Sequence, residues 1–321
     1  MRIGITDSGV GGLSVCAALE ARLAGGAVAA DIELLYLNAA QDDDYAYNSM
    51  PNRQAKLTAF DEFLNAVHSR YRPDLLFIAC NSLSVLYADT VFARTHDLPV
   101  MGIVETGMQQ MRAALAVPGE CSVLLLATPT TVETGTYSRL LVDMGLERQR
   151  VVEQACPGLA DAISNDFSGN EARALLQEFI PEALSRFSST PERLLVFLGC
   201  THYGYQSGVI EAELKKHAAA VRVLNPNPGA ADAVVGRIPG LAGKCQLRVR
   251  FLTRYAIPEK PLRSLPVYLG RAAPATLRAL LEYEVDPALC GSLHHLESSS
   301  TCTGTTETRS ARPPSSSAIS G

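Results

Sequence analysis

One short phrase occurs twice in this chain, and that repetition limits the fold more than any other feature. Leu75-Leu76-Phe77-Ile78-Ala79-Cys80-Asn81-Ser82 and Leu195-Val196-Phe197-Leu198-Gly199-Cys200-Thr201-His202 match position by position: an apolar run, a small residue, a cysteine, then polar residues. Each is introduced by a proline and an acid, Pro73-Asp74 and Pro191-Glu192. An apolar run that stops abruptly at polar groups is the pattern of a parallel strand buried on both faces, its carboxyl end opening into a cleft. Two such strands, each delivering one thiol, imply two half-molecules facing one site.

Around this pair, short apolar runs alternate with amphipathic stretches. Strands are expected at Arg2–Thr6, Glu33–Leu37, Pro99–Val104, Ser122–Ala127, Val151–Gln154, Val221–Leu224 and Gln246–Leu252. Helices are expected from Leu13, over Arg53–Tyr71 and Ser82–Arg94, from beyond the hydroxyl-rich turn Thr128-Pro129-Thr130-Thr131 to about Met144, over Glu171–Phe187, and near Ala273–Glu284. The alternation predicts an α/β fold with mainly parallel sheets covered by helices on both faces. In such sheets ligands bind beyond the carboxyl ends of strands, where Asp7, Cys80, Thr128 and Cys200 fall. The loop Asp7-Ser8-Gly9-Val10-Gly11-Gly12 joins a strand to a helix, so its free N–H groups could form an anion site. It could equally be a tight turn without a ligand, and it lacks the dinucleotide fingerprint. The polar stretch Asn38–Asn52, with Asp42-Asp43-Asp44, Tyr45 and Tyr47, is long for a connection and reads as a lid or binding loop.

At 321 residues the chain has room for about two domains. A net charge of −5 offers no electrostatic case for nucleic acid or an anionic membrane surface. No apolar run approaches the roughly 20 residues of a membrane span, and Met1–Thr6 does not read as a signal peptide. The eight cysteines are scattered without a C-x-x-C pair, which argues against a disulfide framework or zinc site and fits a reducing cytoplasm. From Ser298 onward, 13 of the last 24 residues are Ser or Thr, the composition of a disordered tail outside the fold.

Two thiols on opposite sides of one tetrahedral carbon could remove a proton from one face and return one on the other, inverting the centre. With each sulfur about 3–3.5 Å from that carbon, the pair would stand roughly 7 Å apart, too far for a disulfide. A free thiol titrates near about 8.5, and Asn81-Ser82 and Thr201-His202 place polar groups and a helix N-terminus where they favour the anion. Asp7 and His202 are natural partners for moving protons. Two buried structural cysteines remain an alternative, as does single-thiol chemistry with Cys200 as nucleophile and His202 as base.

Taken together, Asp7-Ser8-Gly9-Val10-Gly11-Gly12-Leu13-Ser14-Val15, Ala79-Cys80-Asn81-Ser82 and Gly199-Cys200-Thr201-His202-Tyr203 resemble the three signatures of glutamate racemase, in the cofactor-independent aspartate/glutamate racemase superfamily. Ala127–Val132 with Tyr137, Ala155-Cys156-Pro157 and Val249–Thr253 extend the resemblance over about residues 1–285. It implies two pseudo-twofold-related α/β domains with the site between them, the first from 1–98 plus 208–290 and the second from 99–207, leaving 291–321 as the tail. It implies Cys80 and Cys200 as acid/base thiols, Asp7 assisting Cys80 and His202 assisting Cys200. Substrate would be held by Ser8, Tyr47, Asn48, Asn81, Ser82, Thr128 and Thr201. It further implies no cofactor and no metal, a small amino-acid substrate, a homodimer, and D-glutamate supply for peptidoglycan. The chain departs from the family pattern at Ala46-Tyr47-Asn48 (for Pro-Tyr-Gly), Thr106-Gly107, Gly204 and Ser164. Those departures keep two alternatives open: a relative acting on aspartate or another amino-acid derivative, and a ligand-binding protein without turnover.

Overall fold

Successive side chains of a strand point to opposite faces, and in this computed structural model both faces are covered. The structure describes residues 1–25, 31–42, 46–239 and 246–290. The expected tail from 291, and Asp43, Asp44 and Tyr45 of the polar loop, lie outside the described residues.

Among the described residues ten strands form two sheets: β1 (Arg2–Asp7), β2 (Asp31–Asn38), β3 (Leu75–Ile78), β4 (Val100–Gly102), β5 (Ser122–Ala127), β6 (Val151–Ala155), β7 (Leu194–Gly199), β8 (Val221–Leu224), β9 (Gln246–Thr253) and β10 (Glu284–Val285). The larger sheet runs β10-β9-β2-β1-β3-β4 and the smaller β6-β5-β7-β8. Every pairing is parallel, with Ile3 opposite Leu75 and Leu34 in one sheet and Ala127 opposite Gly199 and Ala155 in the other.

Alternation decides which core each side chain joins. Ile3, Ile5, Leu34, Tyr36, Leu75 and Phe77 pack on one face of the larger sheet with Leu13, Cys16 and Leu19 of the helix Leu13–Gly25. Leu35, Leu37, Leu76 and Ile78 pack on the other with Phe60, Phe63 and Leu64 of the helix Arg53–Tyr71. In the smaller sheet Leu124, Leu126, Val196 and Leu198 face one core, while Val123, Leu125, Leu195 and Phe197 face the other. Burying each such side chain contributes about 1.5–3 kcal/mol before conformational entropy is subtracted.

The sheets change over later than the boundaries at 98/99 and 207/208. β4 still belongs to the larger sheet, and β8 is the last strand of the smaller one. The smaller sheet is therefore one continuous stretch, Ser122–Leu224, between the two parts of the larger.

The expected helix Ser82–Arg94 is broken into helical turns at Asn81–Ser84, Tyr87–Asp89 and Phe92–Thr95. Val85 and Leu86 keep helical backbone angles and join the smaller sheet's core, and the chain turns extended at Thr90. The Asp61 carboxylate then accepts from the N–H groups of Val91 and Phe92 and starts a new turn. The stretch expected as one helix to Met144 is interrupted at Gly135, where φ is 57°. A helix at Glu259–Leu269 is unanticipated, because Pro261 and Pro266 mask it in the sequence. Pro261 lies in its first turn, where the missing N–H has no intrahelical partner to lose.

Candidate active site

All these strands are parallel within their sheets, so their carboxyl ends gather, and ends from both sheets line one cavity. A cavity of about 580 Å³ is lined by Asp7 at the end of β1 and Ser8 beyond it, Cys80, Asn81 and Ser82 after β3, and Thr128 after β5. Cys156-Pro157-Gly158 follow β6, and Cys200, Thr201 and His202 follow β7. This volume lies within the range of small-molecule sites. Both cysteines of the repeated phrase therefore open into one space, from different sheets.

Asp7 is buried and accepts from the Thr201 hydroxyl at 2.8 Å. Burial raises its carboxyl from 3.8 to about 6, against the pull of the Thr201 hydroxyl and the N–H groups of Ser8, Gly12 and Gly9. The glycine loop thus cradles the chain's own carboxylate rather than an anion from outside. The glycine loop packs tightly on the turn after β7: a Cβ at Gly11 would overlap Thr201 Oγ1 and His202 Nδ1.

Cys80 Sγ lies 3.0 Å from Ser8 Oγ. Its thiol is pushed up to about 12, chiefly by burial and then by the Asp7 charge, with hydrogen bonds from Ser8 and the Leu83 N–H pulling the other way. Cys200 is likewise raised well above its ordinary value by burial, with Asp7 and Cys80 adding to the shift. The N–H groups of His202 and Tyr203 favour the Cys200 anion as expected, but desolvation outweighs them. Both thiols are protonated at neutral pH. His202 Nδ1 stands 3.7 Å from Cys200 Sγ. Burial lowers the imidazole to about 4, so it is neutral beside the thiol.

The two halves meet in a polar seam along the cavity. Ser82 Oγ lies 2.7 Å from Thr128 Oγ1 and 3.3 Å from Thr131 Oγ1, and the two threonines are 3.1 Å apart. Tyr137 donates to Asn81 Oδ1 at 2.5 Å; Asn81 Nδ2 is buried without a protein partner beside the cavity. Asn48 Oδ1 accepts from the Thr130 N–H at 3.3 Å, and Asn227 Nδ2 donates to the Thr201 carbonyl at 2.9 Å.

Ten of the eleven residues singled out from the sequence line this cavity: Asp7, Ser8, Asn48, Cys80, Asn81, Ser82, Thr128, Cys200, Thr201 and His202. Tyr47 does not. Its ring is buried in the larger sheet's core, edge-on to Phe60 with centroids 6.2 Å apart. An aromatic ring beside an apolar helix face gains more from that core than from a polar cleft. Asp7, expected to assist Cys80, makes its side-chain hydrogen bond on the other side, to Thr201.

Several walls escaped the sequence reading. Asp161 of the helix Leu159–Asn165, together with Tyr255, Ile257, Pro258 and Pro261, also lines the cavity, beside Ser164, already marked as a departure from the family pattern. Cys156-Pro157 at a strand end was an available signal. Nothing local marks Tyr255–Pro261 beyond their position after β9. Among the described residues no group of three or more His, Cys, Asp or Glu is arranged to hold a metal ion. No described helix is long and apolar enough to cross a membrane.

A chain with parallel α/β sheets and two thiols at one cleft matches the family model for Asp/Glu/hydantoin racemase over residues 3–234, and it belongs to that family. Among its relatives, the glutamate racemase of Methylococcus capsulatus is 31% identical over 211 residues, covering 65% of this chain and 69% of that protein. The glutamate racemase of Syntrophus aciditrophicus is 28% identical over 284 residues, covering 87% of this chain and 96% of that protein. Among solved structures, glutamate racemase from Thermus thermophilus, in complex with β-chloro-D-alanine, superposes with a TM-score of 0.60 at 25% identity. That match covers 85% of this chain and 94% of the other. A glutamate racemase from Bacillus anthracis shares the fold, with a TM-score of 0.64 at 21% identity over 84% and 94% of the two chains.

Proposed function

We propose that this cavity interconverts L- and D-glutamate, with Cys80 and Cys200 as the two acid/base groups on opposite faces of Cα. The observation that carries the reading is that both thiols, from strand ends of separate sheets, line one cavity of about 580 Å³, roomy enough for an amino acid. The chain's membership of the racemase family and its glutamate racemase relatives support the choice of reaction and substrate.

One thiol must lose its proton before it can take the substrate's. Asp7, with its carboxyl raised to about 6, and neutral His202 beside Cys200 are the groups that would accept it. The departing Cα proton goes to one sulfur, and the other thiol delivers its own proton to the opposite face. Asn81 Nδ2, Ser8 and the Ser82–Thr128 hydroxyls would hold the carboxylates. In this reading the enzyme is a cytoplasmic homodimer supplying D-glutamate for peptidoglycan. Its two sheets are the cores of two domains whose relative movement opens the cleft.

The test is incubation with L-glutamate in D₂O, reading D-glutamate formation and deuterium at Cα. Cys80→Ser and Cys200→Ser should each abolish racemisation; full racemisation by either variant would overturn the two-thiol assignment. A second reading, another acidic amino acid or derivative, is favoured by Ala46, Asn48 and Ser164 on the cavity wall where the family pattern differs. Deuterium wash-in across a panel of candidate acids separates the two.

A further inference from the structure

Lysine is almost never buried unless paired, because taking an ammonium out of water costs several kcal/mol. Lys56, in the first turns of the helix Arg53–Tyr71, is buried with one neutral partner and one charged partner that faces solvent. Its side chain is 6% exposed. The ammonium donates to Thr130 Oγ1 at 2.8 Å, a neutral acceptor. Its carboxylate neighbour, Glu133 Oε2, is 3.4 Å away on a side chain that is 67% exposed, where water screens the charge.

The position of the ammonium is informative. Thr130 belongs to the turn Thr128-Pro129-Thr130-Thr131, whose first two residues line the cavity. The Thr130 N–H also donates to Asn48, another cavity wall. Lys56 thus sits directly behind the wall where the halves meet, joining a helix of the larger sheet to one of the smaller. The cavity itself is poor in positive charge. Among its described lining residues there is no Lys or Arg, His202 is held neutral, and Asp7 and Asp161 are acids.

We propose that Lys56 is a specificity-determining and positioning residue, selecting amino acids of net negative charge over neutral ones. Its ammonium acts from behind the Thr128–Thr131 turn, without touching the substrate, and holds that turn against Asn48. The proposal rests on the amino-acid reading of the cavity but not on turnover. The scale follows from Coulomb's law: one unit charge at roughly 10 Å, at an effective dielectric of about 20, is worth about tenfold in affinity.

The experiment is calorimetric titration of the full chain with L-glutamate and with its uncharged amide L-glutamine, alongside the D₂O exchange assay. The wild-type protein should prefer glutamate by at least about tenfold. Lys56→Met should lower that preference about tenfold by weakening glutamate alone, and Lys56→Arg should keep it to within about threefold. A defect of packing alone would weaken both ligands together and would not be rescued by arginine. Should Lys56→Met not fold, Glu133→Gln on the surface decides: without the screening carboxylate, the preference should rise about twofold to threefold. No preference in the wild type, an unchanged preference in Lys56→Met, or an unchanged one in Glu133→Gln when Lys56→Met is unfolded overturns the proposal. Preference without Cα exchange would remove the racemase reading and leave the lysine judged by its own ratio.

Discussion

Asp7 and His202 place opposite pH dependences into one site, and replacing either should expose the other. Asp7's carboxyl rises from 3.8 to about 6 on folding, so between those values the folded chain keeps a proton that the unfolded chain has lost. Its stabilising contribution is complete below 3.8 and is lost as pH rises through 6. His202 falls from 6.5 to about 4. Its contribution is complete above 6.5 and is lost as pH falls through 4. At 1.36 kcal/mol per pH unit each shift is worth about 3 kcal/mol, and over the shared window from about 4 to about 6 they nearly cancel. Asp7→Asn keeps an acceptor for the Thr201 hydroxyl and removes the titration, while the loss of the second oxygen facing the loop N–H groups is a cost that does not vary with pH. Urea denaturation at a series of pH values should show this variant gaining on the wild type by about 3 kcal/mol from pH about 4 to about 7. Its own stability should fall with acidification below 6.5, through His202. A difference between the two proteins that stays flat to within about 1 kcal/mol across that range would refute the assignment of a raised carboxyl at Asp7.

Two further outcomes follow from the site. Since burial holds the Cys80 thiol near about 12 and Cys200 well above its ordinary value, alkylation of both by iodoacetamide should accelerate about tenfold per pH unit between pH 7 and 9. Peptide mass spectrometry reads each site, and a plateau near pH 8.5 would contradict the shifts. Gly11→Ala drives a methyl into Thr201 and His202, so it should cost about 1–3 kcal/mol in stability. It should also lower kcat/KM by at least about tenfold through misplacement of the second thiol's neighbours. Undiminished activity would mean that this close approach relaxes freely.

Much of this is legible in the sequence because parallel strands buried on both faces write themselves as unbroken apolar runs. Leu75–Ile78 and Leu194–Gly199 are strands, and the cysteines past their ends open into a common cavity. What stayed hidden depends on contacts between distant residues. Thr131 completes the hydroxyl cluster only because Ser82 arrives from the other sheet. The hydrogen bond from Thr201 to Asp7 joins residues 194 positions apart in the chain. Tyr47 sits in a polar stretch, yet the helix Arg53–Tyr71 offers its ring an apolar bed. The direction of the thiol shifts was also beyond the sequence: neighbouring N–H groups are visible there, whereas complete desolvation is a property of the assembled cleft.

The arrangement of the larger sheet has a consequence for how the protein is made. Asp31 of β2 pairs with Gln246 of β9, so on the ribosome β2 is finished about 215 positions before its neighbour exists. Throughout that interval Leu34-Leu35-Tyr36-Leu37 presents a row of unpaired amides and carbonyls, the kind of edge that recruits other chains. The strands β5 to β8 lie together in sequence and can close upon themselves meanwhile. A nascent chain halted before residue 246 should therefore carry one finished sheet and one adhesive one, which makes completion of translation the step that protects this protein from aggregating.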